Sequence, residues 1–265
     1  MHILLPPSEG KSPPGRGRPL ALDSLSLAEL TPARERVLGA LLSLARGPEA
    51  RAREVLGLSV RQVDELARDA RLDVEPAAPA RDVYSGVLYE SLGLATLSPA
   101  ARRRADRSLL ISSGLFGAVR PGDRIPAYRL SGDTDLPGVG PLAAMWRDPL
   151  AEALATPLAR GLVVDLRSGA YAAHFVPRDA LATRTTTVRV LQETRVGAEV
   201  RRTIVSHHNK STKGRLVRAL LEAGASPKTP DAFVTTCRDL GFRAERGEPS
   251  HTGVASIDVV VEGLT

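Results

Sequence analysis

Lys210, Lys213 and Arg218 stand at i, i+3 and i+8 of the segment that begins Ser206-His207-His208-Asn209-Lys210-Ser211-Thr212-Lys213-Gly214-Arg215. On a helix those side chains fall near one face. Cationic groups beside a helix start, where backbone N–H groups lack partners, are the chemistry of phosphate recognition. Arg215 adds a further cation to the same stretch. His207 and His208 do not make a metal site. As neighbours at the end of a strand they point to opposite faces, and the chain offers no Cys partner or His-x-x-x-His spacing nearby.

A second segment, Leu109 to Pro121, contains Ser113-Gly114-Leu115-Phe116-Gly117. Two glycines permit a sharp turn whose N–H groups face outward, so Gly114 and Gly117 are candidate backbone donors to a phosphate in a hairpin between helices. Arg120, Arg124 and Arg129 follow. The plain alternative is an ordinary glycine-containing turn. Lys11 ends a third segment, the turn Pro6-Pro7-Ser8-Glu9-Gly10-Lys11. Asp165 to Tyr171 ends a buried-type strand in small residues, a place where α/β folds bind ligands. Asp82, Tyr84, Asp165 and Tyr171 are therefore candidate pocket residues. No P-loop, dinucleotide-binding glycine fingerprint or Gly-x-Ser-x-Gly elbow is present.

The charge supports the same chemistry. The chain of 265 residues carries a formal net charge of +6, unevenly placed. Between Arg102 and Arg129 seven arginines face only Asp106 and Asp123, and from Arg201 to Arg218 four arginines and two lysines face no acid. Like charge gathered in blocks repels itself, which points to an anionic partner, with a merely solvated face as the alternative. Lysines are scarce: Lys11, Lys210, Lys213 and Lys228 are all there are among 36 basic residues. A lysine kept in so Arg-rich a chain marks a place for a compact ammonium.

These residues need a scaffold. Residues 2–5 read as a buried strand stopped by Pro6-Pro7, and Gly10 to Arg18 as a mobile loop. Helices are expected over 32–46, 49–56 and from the cap Ser59, then over 82–92 and, behind the cap Ser98, over 99–107. Strands are expected at 109–111, 126–130 and 162–166, and a helical region at 141–155 restarting at Asp148-Pro149. A hairpin of 185–192 with 199–205, helices over 209–223 and 230–240, and a strand over 254–262 complete the chain. The reading is an α/β fold, a mixed sheet flanked by helices, in one domain over 1–265. The single Cys237 excludes a disulfide framework and a cysteine zinc site, and in its apolar helical setting it reads as buried and inert. No apolar run approaches the ~20 residues of a membrane span, and the N-terminus lacks the marks of a signal peptide. A cytoplasmic protein with no membrane partner is expected.

Taken in order, six short segments resemble the YaaA family of bacterial peroxide-stress proteins. Ile3 to Lys11 resembles that family's opening strand and turn. Asp82-Val83-Tyr84-Ser85-Gly86-Val87 resembles its Gly-Asp-Val-Tyr-x-Gly-Leu. Ser113 to Pro121 with Pro126 to Leu130 resembles Ser-Gly-Leu-Tyr-Gly-x-Leu-Arg-Pro followed by Pro-Tyr-Arg-Leu. Trp146-Arg147-Asp148 resembles Phe-Trp-Gly-Asp, Val164 to Tyr171 resembles Asn-Leu-Ala-Ser-x-Glu-Tyr, and Lys210 to Gly214 resembles Lys-Lys-Ala-Arg-Gly. The chain departs from the pattern at Arg81, Arg167, Gly169, Ser131-Gly132 and His207-His208.

The resemblance implies an unusual single-domain α/β fold with a helix-hairpin-helix-like element and a basic cleft. It also implies DNA binding, double-stranded or branched, and protection against peroxide by limiting free iron. Joined to the charge pattern, it makes Lys11, Gly114, Gly117, Arg120, Arg129, Lys210, Lys213 and Arg215 the expected phosphate contacts, with no cofactor. The rival reading is an enzyme acting on a nucleotide or other phosphorylated small molecule in the same cleft. Direct iron binding is a third reading, without a visible ligand set.

Overall fold

A computed structural model describes residues 1–196, 199–203, 206–248 and 253–262. Its main sheet contains β1 (His2–Leu5), β2 (Leu109–Ser113), β3 (Gly117–Val119), β4 (Val163–Asp165), β5 (Thr185–Val196), β6 (Glu199–Thr203), β7 (Ala244–Arg246) and β8 (Ala255–Glu262). The order across it is β7-β8-β5-β4-β1-β2-β3, with β6 also paired to β5. Strands β2, β1, β4, β5 and β8 run parallel. Strands β3, β6 and β7 pair antiparallel to their neighbours. The mixed α/β architecture read from the sequence is the one found.

Helices α1 (Thr31–Ala45), α2 (Glu49–Leu56), α3 (Val63–Asp69), α4 (Ala80–Val83), α5 (Val87–Leu92) and α6 (Pro99–Ser108) lie between β1 and β2 in the chain. Helices α7 (Leu142–Met145), α8 (Arg147–Ala155), α9 (Gly169–Ala172), α10 (Asp179–Ala182), α11 (Ser206–Ala223) and α12 (Pro230–Asp239) follow. Ile3, Leu4 and Leu5 are buried, as are Leu109, Leu110 and Ile111. A parallel strand covered on both faces needs such an unbroken apolar run. One apolar core runs from Ile3 to Val259. Ser98 and Thr229 cap α6 and α12, accepting from the amides of Ala101 and Ala232.

Several expected elements differ. The helix expected over 82–92 is two, α4 and α5, because Tyr84 is extended and Gly86 has φ 89°, left-handed backbone that ends one helix before the next begins. Residues 126–130 form no strand. The restart expected at Asp148 falls at Arg147. Helix α11 starts at Ser206, so His207 and His208 lie in its first turn instead of on a strand. The 185–205 hairpin is present as β5 and β6, and its turn at Gly197 lies outside the described residues.

The glycine hairpin differs most. It joins two strands, β2 and β3, and not two helices, and residues 113–119 are all buried. A Cβ on Gly114 would stand 2.6 Å from the carbonyl oxygen of Leu130, and one on Gly117, where φ is 70°, would stand 2.7 Å from Trp146 ring carbons. Both glycines serve close packing within the core. Arg34 supports the loop from behind, donating to the carbonyls of Phe116 at 3.1 Å and Ala118 at 2.9 Å.

Candidate functional site

The parallel strands end together. Leu5 pairs with Ile111 and Leu4 with Asp165, so the chain leaves β1, β2 and β4 on the same edge of the sheet. The strand that follows β1 in the sheet lies on one side of it, and β4 lies on the other. That reversal of strand order is where open α/β sheets leave a crevice outside the carboxyl ends of their strands. A crevice of about 470 Å³ is present there, lined by residues 6–10, 85–89, Leu166, Ser168, Tyr171, Asn209, Lys210 and Lys213.

Three sets of hydrogen bonds build it. The turn after β1 is tied to the break between α4 and α5. The Ser85 amide donates to Ser8 Oγ at 3.1 Å, the Ser12 amide to the Val83 carbonyl at 2.8 Å, and Tyr89 Oη to the Pro6 carbonyl at 2.6 Å. Helix α11 is tied across: Ser91 and Ser211 share a hydroxyl hydrogen bond at 3.0 Å, and Lys213 Nζ donates to the Leu166 carbonyl at 3.2 Å. A Cβ on Gly214 would collide with the Leu88 carbonyl, so glycine at that position lets α11 approach α5 closely. The turn after β4 is held by Arg167, which pairs with Asp165 at 2.7 Å and donates to the carbonyls of Tyr171 and Phe175.

Behind the 6–10 turn lies a second, tighter cluster. Lys11 Nζ donates to the Ser8 carbonyl at 2.9 Å and sits 4.2 Å from the centre of the Tyr128 ring and 5.6 Å from that of Tyr84. Tyr84 Oη, Tyr128 Oη and Ser113 Oγ form a chain at 3.0 and 2.7 Å. Burial pushes the Lys11 ammonium down to about 8, with Glu9 opposing the shift in part and Arg129 adding to it. Burial likewise pushes the Asp69 carboxyl up to about 7, against the Arg129 amide that donates to its Oδ1 at 2.9 Å and the nearby Lys11 charge. Burial also lowers the Lys213 ammonium from its usual value, which the Asp165 charge partly offsets.

The expected contacts divide. Lys210 and Lys213 line the crevice, and Lys11 braces its floor from below. Arg129 stands close to Lys11 but is ion-paired with Glu9 at 3.2 Å and Glu65 at 3.6 Å. Arg120 is elsewhere. It donates to the carbonyls of Asp106 and Arg107 and lies near His2, at the opposite end of β1, whose ring pKa is lowered chiefly by burial, with the N-terminal amine and Arg120 adding to the shift. Arg215 lies on another face of α11, beside Phe242 and Arg243. Gly114 and Gly117 are in the core.

Of the proposed pocket residues, Tyr171 lines the crevice and its Oη accepts from the Gly132 amide at 3.1 Å. Tyr84 is buried beneath Lys11. The Asp165 carboxylate is consumed by Arg167. Asp82 is exposed and does not line the crevice.

The arginine surplus has a structural use. Arg102 donates to the Ala95 carbonyl, Arg104 to Leu221, Arg124 to Ala77, and Arg218 to Leu92, Gly93 and Thr96. A forked guanidinium satisfies carbonyls at helix and loop ends that an ammonium meets less well. Arg218, which the spacing puts near the face of the two lysines, is thus engaged with carbonyls of residues 92–96 and does not line the crevice. Sequence reading also missed Glu9, Ser85, Tyr89, Ser168 and Asp69. For the first, the signal was available: Pro-Pro-Ser-Glu-Gly leaves the end of the first parallel strand. Among the described residues no group of three or more His, Cys, Asp or Glu is placed to hold a metal, and no helix is long and apolar enough to cross a membrane.

Comparison with known proteins gives consistent results. The family model described as peroxide stress protein YaaA matches residues 1–246. A UPF0246 protein of Streptomyces coelicolor is 53% identical over 262 residues, covering 98% of each chain. A UPF0246 protein of Corynebacterium efficiens is 41% identical over 252 residues, 94% of this chain and 96% of its own. One of Corynebacterium glutamicum is 38% identical over 255 residues, 95% and 97% respectively.

Proposed function

The chain belongs to the family of the peroxide stress protein YaaA, and on that premise we propose that it binds DNA in the stress response, receiving backbone phosphate in the crevice at the ends of β1 and β4. The observation that carries this reading is the pair Lys210 and Lys213 on one wall of that crevice. Lys213 is held there by the Leu166 carbonyl and makes no ion pair among the described residues; Asp165, close enough to act on it through its charge, is paired with Arg167. An anion entering between the two ammonium groups restores the solvation that burial removed from Lys213, while Lys210 approaches it from the exposed rim. The reading is narrower than a broad basic face, because most of the arginines of the 102–129 block are occupied by carbonyls and carboxylates. Binding would be carried by phosphate, with low sequence preference. Equilibrium binding to a labelled duplex and a four-way junction between low and moderate salt tests it: affinity should fall steeply with salt. Salt-independent binding, or none to either DNA, would contradict it.

A second reading, an enzyme acting on a nucleotide or other phosphorylated small molecule, is favoured by one observation. Lys11 and Asp69 are ionisable groups held near neutrality just behind the crevice, as proton-transferring residues are. Incubating the protein with nucleotides and following product formation tests it. Turnover that Lys11→Met abolishes, with nucleotide binding retained, would favour this reading over simple binding.

A further inference from the structure

Asn209 lines the crevice beside the two lysines, and its Oδ1 is buried with no hydrogen-bond partner among the described residues. An unpaired buried acceptor forfeits the hydrogen bond it had with water, a loss that a ligand donor at that point would make good. Asn209 and Lys213 are four residues apart on α11, so they project from the same face, one turn from each other. The lining is otherwise partly apolar, with half-buried Pro6 and with Leu88, Tyr89 and Tyr171 contributing the small part of their surface that is not buried in the core. A cavity of about 470 Å³ falls within the ~300–1,000 Å³ typical of small-molecule sites. It is too small for a duplex and of a size for one nucleotide.

We infer that the crevice recognises a single nucleoside monophosphate unit, with its phosphate between Lys210 and Lys213, its base on the Pro6–Tyr89–Tyr171 side, and a base N–H donating to Asn209 Oδ1. This rests on the phosphate reading above and adds what sits beyond the phosphate. A phosphate alone would leave the apolar lining uncovered and Oδ1 unpaired. Two sources supply the same chemistry: a free mononucleotide, or a nucleotide of DNA that is unpaired or turned out of the stack. The second demands that the base be unstacked, which is easiest at a damaged or mismatched base.

Isothermal titration of the full chain with the four 2′-deoxynucleoside 5′-monophosphates, with deoxyribose 5-phosphate and with inorganic phosphate tests this. At least one mononucleotide should bind about tenfold more tightly than deoxyribose 5-phosphate, the worth of one good hydrogen bond. Asn209→Leu, which removes the buried acceptor and is therefore expected to fold, should shrink that margin to less than about threefold. Equal affinity for deoxyribose 5-phosphate and all four mononucleotides, or a margin unchanged by Asn209→Leu, overturns the inference and leaves phosphate binding standing. No binding of any phosphorylated probe, together with salt-independent DNA binding, overturns the phosphate reading itself. A duplex carrying 2-aminopurine at a mismatch separates the sources. A rise in its fluorescence on binding assigns the nucleotide to DNA, and a mononucleotide margin with a dark duplex assigns it to the free pool.

Discussion

Lys213 Nζ donates to the carbonyl oxygen of Leu166 at 3.2 Å, which fixes the third turn of α11 to the residue just past the end of β4. One hydrogen bond thus sets the ammonium over the crevice and sets the helix at the edge of the sheet. It also explains why a lysine is used. A guanidinium at this point would reach further and lock onto carbonyls in a fork, as Arg218 does one and a half turns later. A compact ammonium holds one carbonyl and keeps two N–H donors for a ligand.

Asp69 makes stability depend on pH. Its carboxyl is raised from 3.8 to about 7 in the folded chain, chiefly by burial. A raised carboxyl pKa means that the folded chain keeps a proton which the unfolded chain releases. Its contribution is therefore full below about pH 4 and is lost as pH rises towards 7, with a slope of up to ~1.4 kcal/mol per pH unit. Urea unfolding between pH 4 and 7 should show that fall in the natural chain and a flatter profile in Asp69→Asn. Parallel profiles for the two would show that Asp69 ionises normally.

The hairpin glycines should behave as packing residues. Gly117→Ala forces a Cβ towards Trp146 at a position with φ 70°, so denaturant unfolding should show a loss of at least ~1–3 kcal/mol. The folded fraction should bind DNA with the salt dependence of the natural chain. A variant of unaltered stability and weakened DNA binding would return these glycines to a surface role.

Cys237 should not sense peroxide. Its thiol is buried and raised to about 12 by that burial, so little thiolate is present at neutral pH. Mass spectrometry should find it unmodified by iodoacetamide or modest peroxide in the native chain and alkylated after unfolding. Rapid native modification would overturn this.

Much of the fold was legible because its signals are local. Ile3-Leu4-Leu5 stopped by two prolines, Ser98-Pro99 and Thr229-Pro230 each state an element's type and end, and each is found within a residue or two. The 82–92 break was not, since apolar spacing continues through Gly86 and only the tie of the chain to the 6–12 turn separates α4 from α5. The candidate site was half legible. Scarcity picked out Lys11, Lys210 and Lys213, which the fold gathers around one turn. Charge counting does not separate Arg120 and Arg218 from the lysines, because a sequence shows a guanidinium's charge and not the carbonyl it will satisfy. Asp69 and Asn209 became informative only through burial, which depends on contacts distant in the chain.

In the DNA-binding reading proposed above, phosphate is held by the two lysines of α11 and not by the arginine-rich segments at large. Salt-dependent DNA binding by Lys210→Ala/Lys213→Ala, set beside Arg120→Ala, tests it most directly. The double variant should lose affinity at low salt, and its slope of log K against log salt should be shallower by about one for each phosphate contact removed. Arg120→Ala should match the natural chain, since Arg120 lies at the far end of β1. An unchanged slope in the double variant, or a loss in Arg120→Ala as large as in the lysine pair, would contradict the account.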